Sequence, residues 1–309
     1  MADMNMNLVG MMDKFGDESK CRAYLESLRW PNGVTCPRCK HNEKLYRIAE
    51  RNQFVCSSCE YQFSVTTGTA FHDTHLPLVT WFLATVLLCE AKKGMSACQM
   101  QRSLGIKTYK TAWFLCHRIR AAMIETGKGK LDGVVEMDET YIGGVNRGKG
   151  KKLGMENKET VIGIRKRNGD LRFFHAKDGK SATLAHFIRE NISDSVDVII
   201  TDEWMAYPDA MRRTGFSGRH KTIRHKNHVY VSGDVHTNTV ESAFSLLKRG
   251  IMGTWHKISV KHLPAYLDEM CFRFNNRKNP FLFRDTILKL IASPNLEYKR
   301  LTATNENAA

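Results

Sequence analysis

The N-terminal part of this chain carries two cysteine pairs with the same internal spacing, a pattern that few folds accommodate. The pairs are Cys36-Pro-Arg-Cys39 and Cys56-Ser-Ser-Cys59, and sixteen residues separate them. Each pair can turn two sulfur atoms to one side, so that four thiolates surround one tetrahedral Zn²⁺. A module this small has little hydrophobic core, and metal binding would supply much of its folding free energy. The spacing therefore predicts a zinc ribbon with a structural Zn²⁺ held by these four cysteines.

The charge of the chain indicates a polyanionic partner. Lys and Arg number 47 against 32 Asp and Glu among 309 residues, which gives a formal net charge of +15. A balance this basic favours double-stranded DNA or another nucleic acid over an acidic membrane surface. A basic protein without a nucleic-acid role remains open on composition alone. Basic residues around the first cysteine pair, Arg38 among them, favour DNA contact by the ribbon.

The cysteine count and the N-terminal sequence indicate the compartment. The chain has nine cysteines and no basic, apolar leader, which favours a reducing environment over a disulfide framework. The longest apolar stretch, residues 76–89, contains polar residues and is too short to cross a bilayer. We therefore expect a cytoplasmic, nucleoid-associated protein without a membrane segment.

Composition and periodicity divide the chain into regions of different fold class. In the helical region, two short helices around Gly105 resemble a helix-turn-helix. Farther on, Asn168-Gly169 predicts a hairpin, after which strands alternate with helices. We expect an α+β or α/β fold, a mixed sheet covered by helices. The predicted domains are an N-terminal helix with the zinc ribbon, a helix-turn-helix-like DNA-binding domain, a catalytic domain and a tail, at residues 1–70, 71–130, 131–295 and 296–309.

Basic and aromatic side chains in several segments are candidates for DNA contact. A recognition helix in the major groove needs basic residues on its exposed face, and a glycine-lysine loop can lie on phosphates without reading sequence. A solvated helix face and a solvated loop are the alternatives. An aromatic residue could stack on an unpaired base, although Trp255 fits a protein core equally well. The candidates are Lys110, Arg118, Arg147, Lys149, Lys151, Lys152, Lys248, Arg249, Trp255 and His256.

Three carboxylates stand in contexts that favour catalysis. Asp138 lies inside an apolar strand pattern, where burial is costly unless the carboxylate is paired or binds a metal. Asp202 follows the apolar strand at 196–201, and strand ends are common places for active sites. Glu241 borders the apolar face of a helix, and Lys248 projects in the same direction two turns later. Three such carboxylates can hold two divalent cations, Mg²⁺ or Mn²⁺, for phosphodiester chemistry.

The carboxylates stand within recognisable motifs. These motifs are MDETYIGG at 137–144, TDEW at 201–204, HTNTVE at 236–241, LKRG at 247–250 and GTWH at 253–256. Together with the ribbon they resemble a group of bacterial insertion-sequence DDE transposases related to the Merlin elements. The resemblance implies an RNase H-like catalytic domain that acts on terminal inverted repeats and target DNA. It also implies a homodimer or higher oligomer, since two element ends are brought together.

The resemblance leaves the third acidic position open between two residues. In that group the position is filled by Asn or Glu, and this chain offers both Asn238 and Glu241. An amide oxygen can bind a metal, but it brings no negative charge. Because Glu241 and Lys248 match the Glu-x6-Lys/Arg pattern of DDE enzymes, we assign Glu241 as the ligand and Asn238 as a supplementary one. Lys248 would then grip a DNA phosphate or terminal base beside the cations.

Two alternatives to a transposase remain open at this point. A nuclease of the same fold would cut DNA without joining it. A DNA-binding regulator would use the ribbon and the helical domain and keep an inactive catalytic remnant. The complete set of Asp138, Asp202 and Glu241 argues against the regulator.

Overall fold

The computed structural model describes residues 6–143, 158–223 and 236–303 of the chain. The chain divides into two compact units. The first unit comprises residues 1–124 and 277–309, and the second comprises residues 125–276. Within the described ranges, no helix is long and apolar enough to cross a bilayer.

Strands and helices are numbered here in chain order. The strands are β1 (Leu45–Ile48), β2 (Gln53–Cys56), β3 (Gln62–Phe63), β4 (Leu131–Ile142), β5 (Glu159–Lys166), β6 (Leu171–Ala176), β7 (Ile192–Thr201) and β8 (His220–Thr222). The helices are α1 (Leu8–Phe15), α2 (Glu18–Arg29), α3 (Leu78–Glu90), α4 (Ala97–Leu104), α5 (Tyr109–Ala122), α6 (Ser181–Asn191), α7 (Ala206–Thr214), α8 (Asn238–Gly250), α9 (Leu263–Asn275), α10 (Leu282–Ala292) and α11 (Tyr298–Thr302).

A small antiparallel sheet in the first unit follows the first cysteine pair, and the second pair lies between its strands β2 and β3, with Cys56 at the end of β2. Its strand order is β1-β2-β3, and Ile48 pairs with Gln53 where β1 turns into β2. Phe54 and Phe63 are buried beneath the sheet, and Trp30 packs against both rings. A core of so few side chains stabilises little on its own, as expected for a module that folds around a metal.

The middle of the first unit contains the expected pair of short helices. The hydroxyl of Ser96 accepts a hydrogen bond from the Gln99 N–H and caps α4, and Thr108 caps α5 through the Thr111 N–H. Between them, Gly105 ends α4 with a φ of 63°, in the left-handed region that glycine adopts without strain. Local capping and turn chemistry therefore define α4 and α5 as the sequence predicted.

The C-terminal helices belong to the first unit, which corrects the expected end of the catalytic domain at residue 295. Helix α10 packs against α2, α3 and α5. Its Phe283 joins an aromatic cluster with Phe15, Tyr24 and Phe82. The sequence pattern is helical from Thr239 onward, but an apolar helix face does not specify which core it will join. The boundary therefore depended on tertiary contacts that the sequence pattern does not show.

A mixed five-stranded sheet with the order β6-β5-β4-β7-β8 forms the centre of the second unit. Strand β5 is antiparallel to β4 and β6, whereas β7 is parallel to β4 and β8. Asn168 turns the β5–β6 hairpin with a φ of 56°, as its sequence predicted. One buried cluster packs α6 and α7 against the sheet, and another packs α8 and α9. This is the RNase H-like architecture expected from the sequence.

Candidate active site

The two aspartates predicted from the sequence meet at one edge of this sheet. Strands β4 and β7 are parallel neighbours, and their last aligned pair is Glu136 opposite Ile200. Asp138 and Asp202 each lie two residues beyond that pair, so they extend from neighbouring strands at the same level. The Glu139 N–H donates to Asp138 Oδ1 at 2.8 Å, and the Trp204 N–H donates to Asp202 Oδ1 at 3.0 Å. Both carboxylates are thereby oriented by backbone donors.

Glu139 joins them, and sequence reasoning gave it no role. Carboxylate oxygens of Asp138, Glu139 and Asp202 all lie within 4.8 Å of one another. Strand alternation places Glu139 on the face opposite Asp138, but the β4–β7 pairing has already ended there, so a long side chain can reach around the edge. The buried Tyr207 hydroxyl of α7 donates to Glu139 Oε2 at 2.6 Å and holds it there. No local sequence signal marks this contact, because Tyr207 lies 68 residues from Glu139 along the chain.

Two carboxylates of this cluster, Asp138 and Glu139, stand in surroundings that disfavour their ionised forms when no cation is bound. Burial, together with the nearby Glu139, Asp202 and Glu241, raises the pKa of Asp138 to about 8. Burial also raises the pKa of Glu139, and Asp202 acts in the same direction. A divalent cation would relieve both the burial cost and the repulsion. An all-carboxylate set of hard oxygen donors fits Mg²⁺ or Mn²⁺, so the residues present suit the expected metals.

Helix α8 brings Glu241 toward this cluster. Glu241 lies outside the group of oxygens within 4.8 Å, but its charge still acts on Asp138. The Thr237 hydroxyl donates to Glu241 Oε1 at 2.6 Å. Asn238, the other candidate, is exposed at the first position of the helix. The structure therefore brings Asp138 and Asp202 together directly, and Glu241 is the α8 carboxylate whose charge acts on Asp138.

The four cysteines of the paired motifs also converge. Their sulfur atoms lie within 4.8 Å of one another, and none is in a disulfide. Cys36 Sγ lies 3.7 Å from Cys59 Sγ, and Cys39 Sγ lies 3.5 Å from Cys56 Sγ. A tetrahedral Zn²⁺ with ordinary Zn–S bonds places its sulfurs about 3.8 Å apart. The observed separations therefore fit one zinc ion held by all four thiolates.

Several candidate DNA-contacting side chains are exposed. Lys110, at the start of α5, lies over the ring of Tyr298, with its Nζ 4.2 Å from the ring centroid. The other exposed candidates are Arg38, Lys248, Arg249 and His256. The basic loop candidates Arg147, Lys149, Lys151 and Lys152 lie outside the described residues.

Two candidates are corrected by their burial. Arg118 is 4% exposed, donates to the Asn295 side chain at 3.0 Å and lies between the rings of Trp81 and Phe114. Trp255 is 8% exposed and packs on Tyr266. Arg118 is therefore not available as a DNA contact. A long guanidinium side chain can pack inside a helical core when aromatic faces and carbonyl groups surround it. For Trp255, the core alternative is confirmed.

Comparisons with known proteins agree with this geometry. A family model for the ISXO2-like transposase domain matches residues 130–275, and one for the transposase zinc-ribbon domain matches residues 16–62. The chain therefore contains the zinc ribbon and the catalytic domain of an insertion-sequence DDE transposase. The transposase is also 28% identical over 272 residues to an uncharacterized protein in transposable element ISH50 of Halobacterium salinarum, covering 82% of this chain and 89% of that protein. Asp138, Asp202 and Glu241 all lie within the matched transposase domain.

Proposed function

We propose that this transposase binds the terminal inverted repeats of its element and catalyses cation-dependent strand cleavage and strand transfer. The reaction would take place at the edge of the sheet where Asp138 and Asp202 meet. The observation that carries the proposal is their matching position beyond the last β4–β7 pair, within a carboxylate cluster in which burial and neighbouring charges raise the pKa of Asp138. The transposase family and the basic charge of the chain support DNA as the substrate.

In this proposal Asp138, Asp202 and Glu241 hold Mg²⁺ or Mn²⁺, and Glu139 offers a further oxygen. When bound, the cations would activate water or a 3′-hydroxyl and stabilise the leaving oxygen of an in-line displacement. The protein's own part is to orient the oxygens, which the Glu139 and Trp204 N–H groups and the Thr237 hydroxyl already do. Asn238 remains a supplementary ligand in the proposal.

DNA would be held by exposed basic residues on both units. Lys248 and Arg249, which are exposed near the C-terminal end of α8, would contact phosphates flanking the scissile bond. Arg38 of the ribbon and Lys110 of α5 would contact the inverted repeat. His256 stays a candidate for stacking on a base, and the basic loop at 147–152 stays a prediction. Because two element ends must be joined, we also propose a homodimer or higher oligomer on DNA.

The decisive experiment uses pre-cut element ends, a target plasmid and Mg²⁺. We expect the purified transposase to produce joined molecules, and Glu241→Gln to abolish cleavage and joining while gel-shift binding to the ends is unchanged. Cleavage without joined products would indicate a nuclease instead. Specific binding without any cation-dependent cleavage would indicate a DNA-binding regulator.

The same assay decides the third ligand. Asn238→Ala is the matched variant on the same helical turn, and we expect it to retain much of the cleavage activity. Near-wild-type cleavage by Glu241→Gln, together with an inactive Asn238→Ala, would reverse the assignment.

A further inference from the structure

A fully buried carboxylate, Glu136, connects strand β4 to the first turn of α8. Its side chain is 0% exposed and lies two residues before Asp138. Its Oε2 accepts hydrogen bonds from the Thr239 N–H at 3.0 Å, the Thr239 hydroxyl at 2.7 Å and the Val240 N–H at 3.1 Å. One oxygen of a strand residue therefore receives three donors from a single helical turn.

The other oxygen of Glu136 is held from the hairpin side. Arg167 donates its Nε–H to Glu136 Oε1 at 2.8 Å, and its Nη2 donates to the His236 carbonyl at 3.0 Å. His236 Nδ1 lies 3.3 Å from the same carboxylate oxygen. Arg165 Nη1 adds a hydrogen bond to the Thr239 carbonyl at 2.5 Å. The segment entering α8 is thus fixed to β4 and β5 at several points.

Helix α8 depends on this contact for its N-terminal cap. The residue at its N-cap, Thr237, makes no side-chain hydrogen bond to the first backbone N–H groups of the helix. Those N–H groups need acceptors, and a negative charge at a helix N-terminus also interacts favourably with the helix dipole. Glu136, on strand β4, supplies both the hydrogen-bond acceptor and the negative charge.

The anchored turn is the one that carries Glu241. Glu241 directly follows Val240, and its N–H donates to the Thr237 carbonyl at 3.1 Å. A buried ion pair is no more stabilising than a well-packed apolar replacement in many proteins, so stability alone gives no reason for a carboxylate here. Positioning does give a reason for a carboxylate at 136. Glu136 and Asp138 lie on the same strand, so a helical turn fixed to Glu136 holds Glu241 in a defined position relative to Asp138.

We propose that Glu136 is a positioning residue of the transposase: it seats the first turn of α8 so that the Glu241 carboxylate faces Asp138 and Asp202. This role rests on the proposed function, since it requires that Glu241 contribute to cation binding. Glu136 itself is buried beneath the helix and acts through Glu241 and not on the DNA.

The test measures, by electron paramagnetic resonance, the Mn²⁺ affinity of the full-length protein with its ribbon zinc retained and no other divalent cation added. Glu136→Gln removes the charge, and Thr239→Val removes one hydroxyl donor while keeping the side-chain shape. We expect each variant to weaken Mn²⁺ binding by about tenfold, as loss of a group that orients a metal ligand typically does. In the Glu241→Gln background the same substitutions should produce no further weakening, because the group they position is already neutral.

Glu269→Gln is the matched control. Glu269 is also fully buried in the second unit and pairs with Arg273 on α9 at 3.1 Å. We expect this substitution to lower Tm without changing the Mn²⁺ affinity. If Glu136→Gln fails to fold, Thr239→Val decides the question.

Three results would overturn the proposal, and they are distinguishable. Unchanged Mn²⁺ affinity in folded Glu136→Gln and Thr239→Val variants would show that the contact does not position the site. Equal weakening in the wild-type and Glu241→Gln backgrounds would show that Glu136 acts other than through Glu241. Failure of the wild-type protein to bind Mn²⁺ would refute the proposed function itself and this role with it.

Discussion

At Asp138, a carboxylate within a buried strand is surrounded by other carboxylates instead of by a positive partner. Burial makes its ionisation costly, and Glu139, Asp202 and Glu241 add to that cost. Nearby, Glu136 has the opposite environment, with Arg167 and three donors from α8 around it. The difference between these two residues of one strand explains their roles. Glu136 is satisfied by protein groups, whereas Asp138 has carboxylate neighbours that a bound cation would neutralise, as we propose.

The raised pKa of Asp138 leads to a prediction about stability. We expect the free energy of unfolding of the zinc-loaded transposase, without a cation at the carboxylates, to fall as the pH rises from 3.8 to about 8. In this range the folded state retains the Asp138 proton that the unfolded state has released, so the contribution is complete below 3.8 and lost by about 8. Its slope is at most about 1.4 kcal/mol per pH unit. Calorimetry should show a shallower fall for Asp138→Asn, and equal slopes for the two proteins would contradict the raised pKa.

Residues differ in how far their roles could be predicted from the sequence. Asp138 and Asp202 could be identified because each is a charged residue in or after an apolar strand, a local signal. Glu139 could not be identified, because strand alternation assigns its side chain to the face opposite Asp138. Its side chain reaches Asp138 only because the β4–β7 pairing ends before this position. Glu136 looked like an ordinary strand residue, since its partners lie 31 and 103 residues away. Arg118 was wrongly predicted to contact DNA, because the charge of a residue does not reveal whether its side chain is buried.

Among the elements, helix α8 requires a close approach to strand β5. Gly163 of β5 lies opposite Asp138 in the β4–β5 register. A Cβ at this position would lie 2.7 Å from Cζ of Phe244 on α8 and 3.0 Å from Cε1 of Phe173. The Phe173 and Phe244 rings are stacked, so neither can move without disturbing the other. Glycine at 163 therefore lets α8 pack where Glu241 can act on Asp138.

Gly163→Ala should accordingly push α8 away from the sheet. We expect a loss of about 1–3 kcal/mol of stability from overpacking, together with a clear reduction in Mg²⁺-dependent cleavage. Gly218→Ala is the matched control, because a Cβ at Gly218 meets no atom within 4 Å. Thermal melts and the cleavage assay measure both effects. Indistinguishable Tm and activity for the two variants would show that the approach at Gly163 is unimportant.

The ribbon is the other element whose function depends on a metal. We expect Cys39→Ser to release the zinc and to abolish binding to the element ends, because the exposed Cys39 contributes through its thiolate more than through packing. Cys98→Ser is the control, since Cys98 is also exposed but lies outside the cysteine cluster. Zinc content by atomic absorption and gel-shift affinity are the measurements. Full zinc occupancy in Cys39→Ser would contradict the four-thiolate site.

At the scale of the whole molecule, the chain leaves the first unit at residue 124 and returns to it at 277. The fold of the second unit could be predicted because a hairpin followed by alternating strands and helices restricts the possible sheets. The return of the chain to the first unit could not be predicted, since α10 has an ordinary amphipathic pattern. Its place is set by the aromatic cluster around Phe283 and by the hydrogen bond from the Ala70 N–H to the Leu290 carbonyl at 3.0 Å.

This return predicts that the C-terminal segment stabilises the N-terminal unit. Phe283→Ala should destabilise the first unit by about 3–5 kcal/mol through loss of a buried aromatic side chain. Leu288→Ala on the same helix is the control, because Leu288 is 38% exposed. Hydrogen exchange of residues in α2 and α3 measures the effect. Unchanged protection of those helices in Phe283→Ala would show that α10 is a dispensable appendage.

The account as a whole depends on a cation between the carboxylates of Asp138 and Asp202. Crystals grown with Mn²⁺ and measured at the manganese absorption edge test this directly. We predict an anomalous-difference peak within bonding distance of both carboxylates, and its loss in Asp202→Asn. Well-ordered Asp138 and Asp202 side chains with no peak between them would contradict the account.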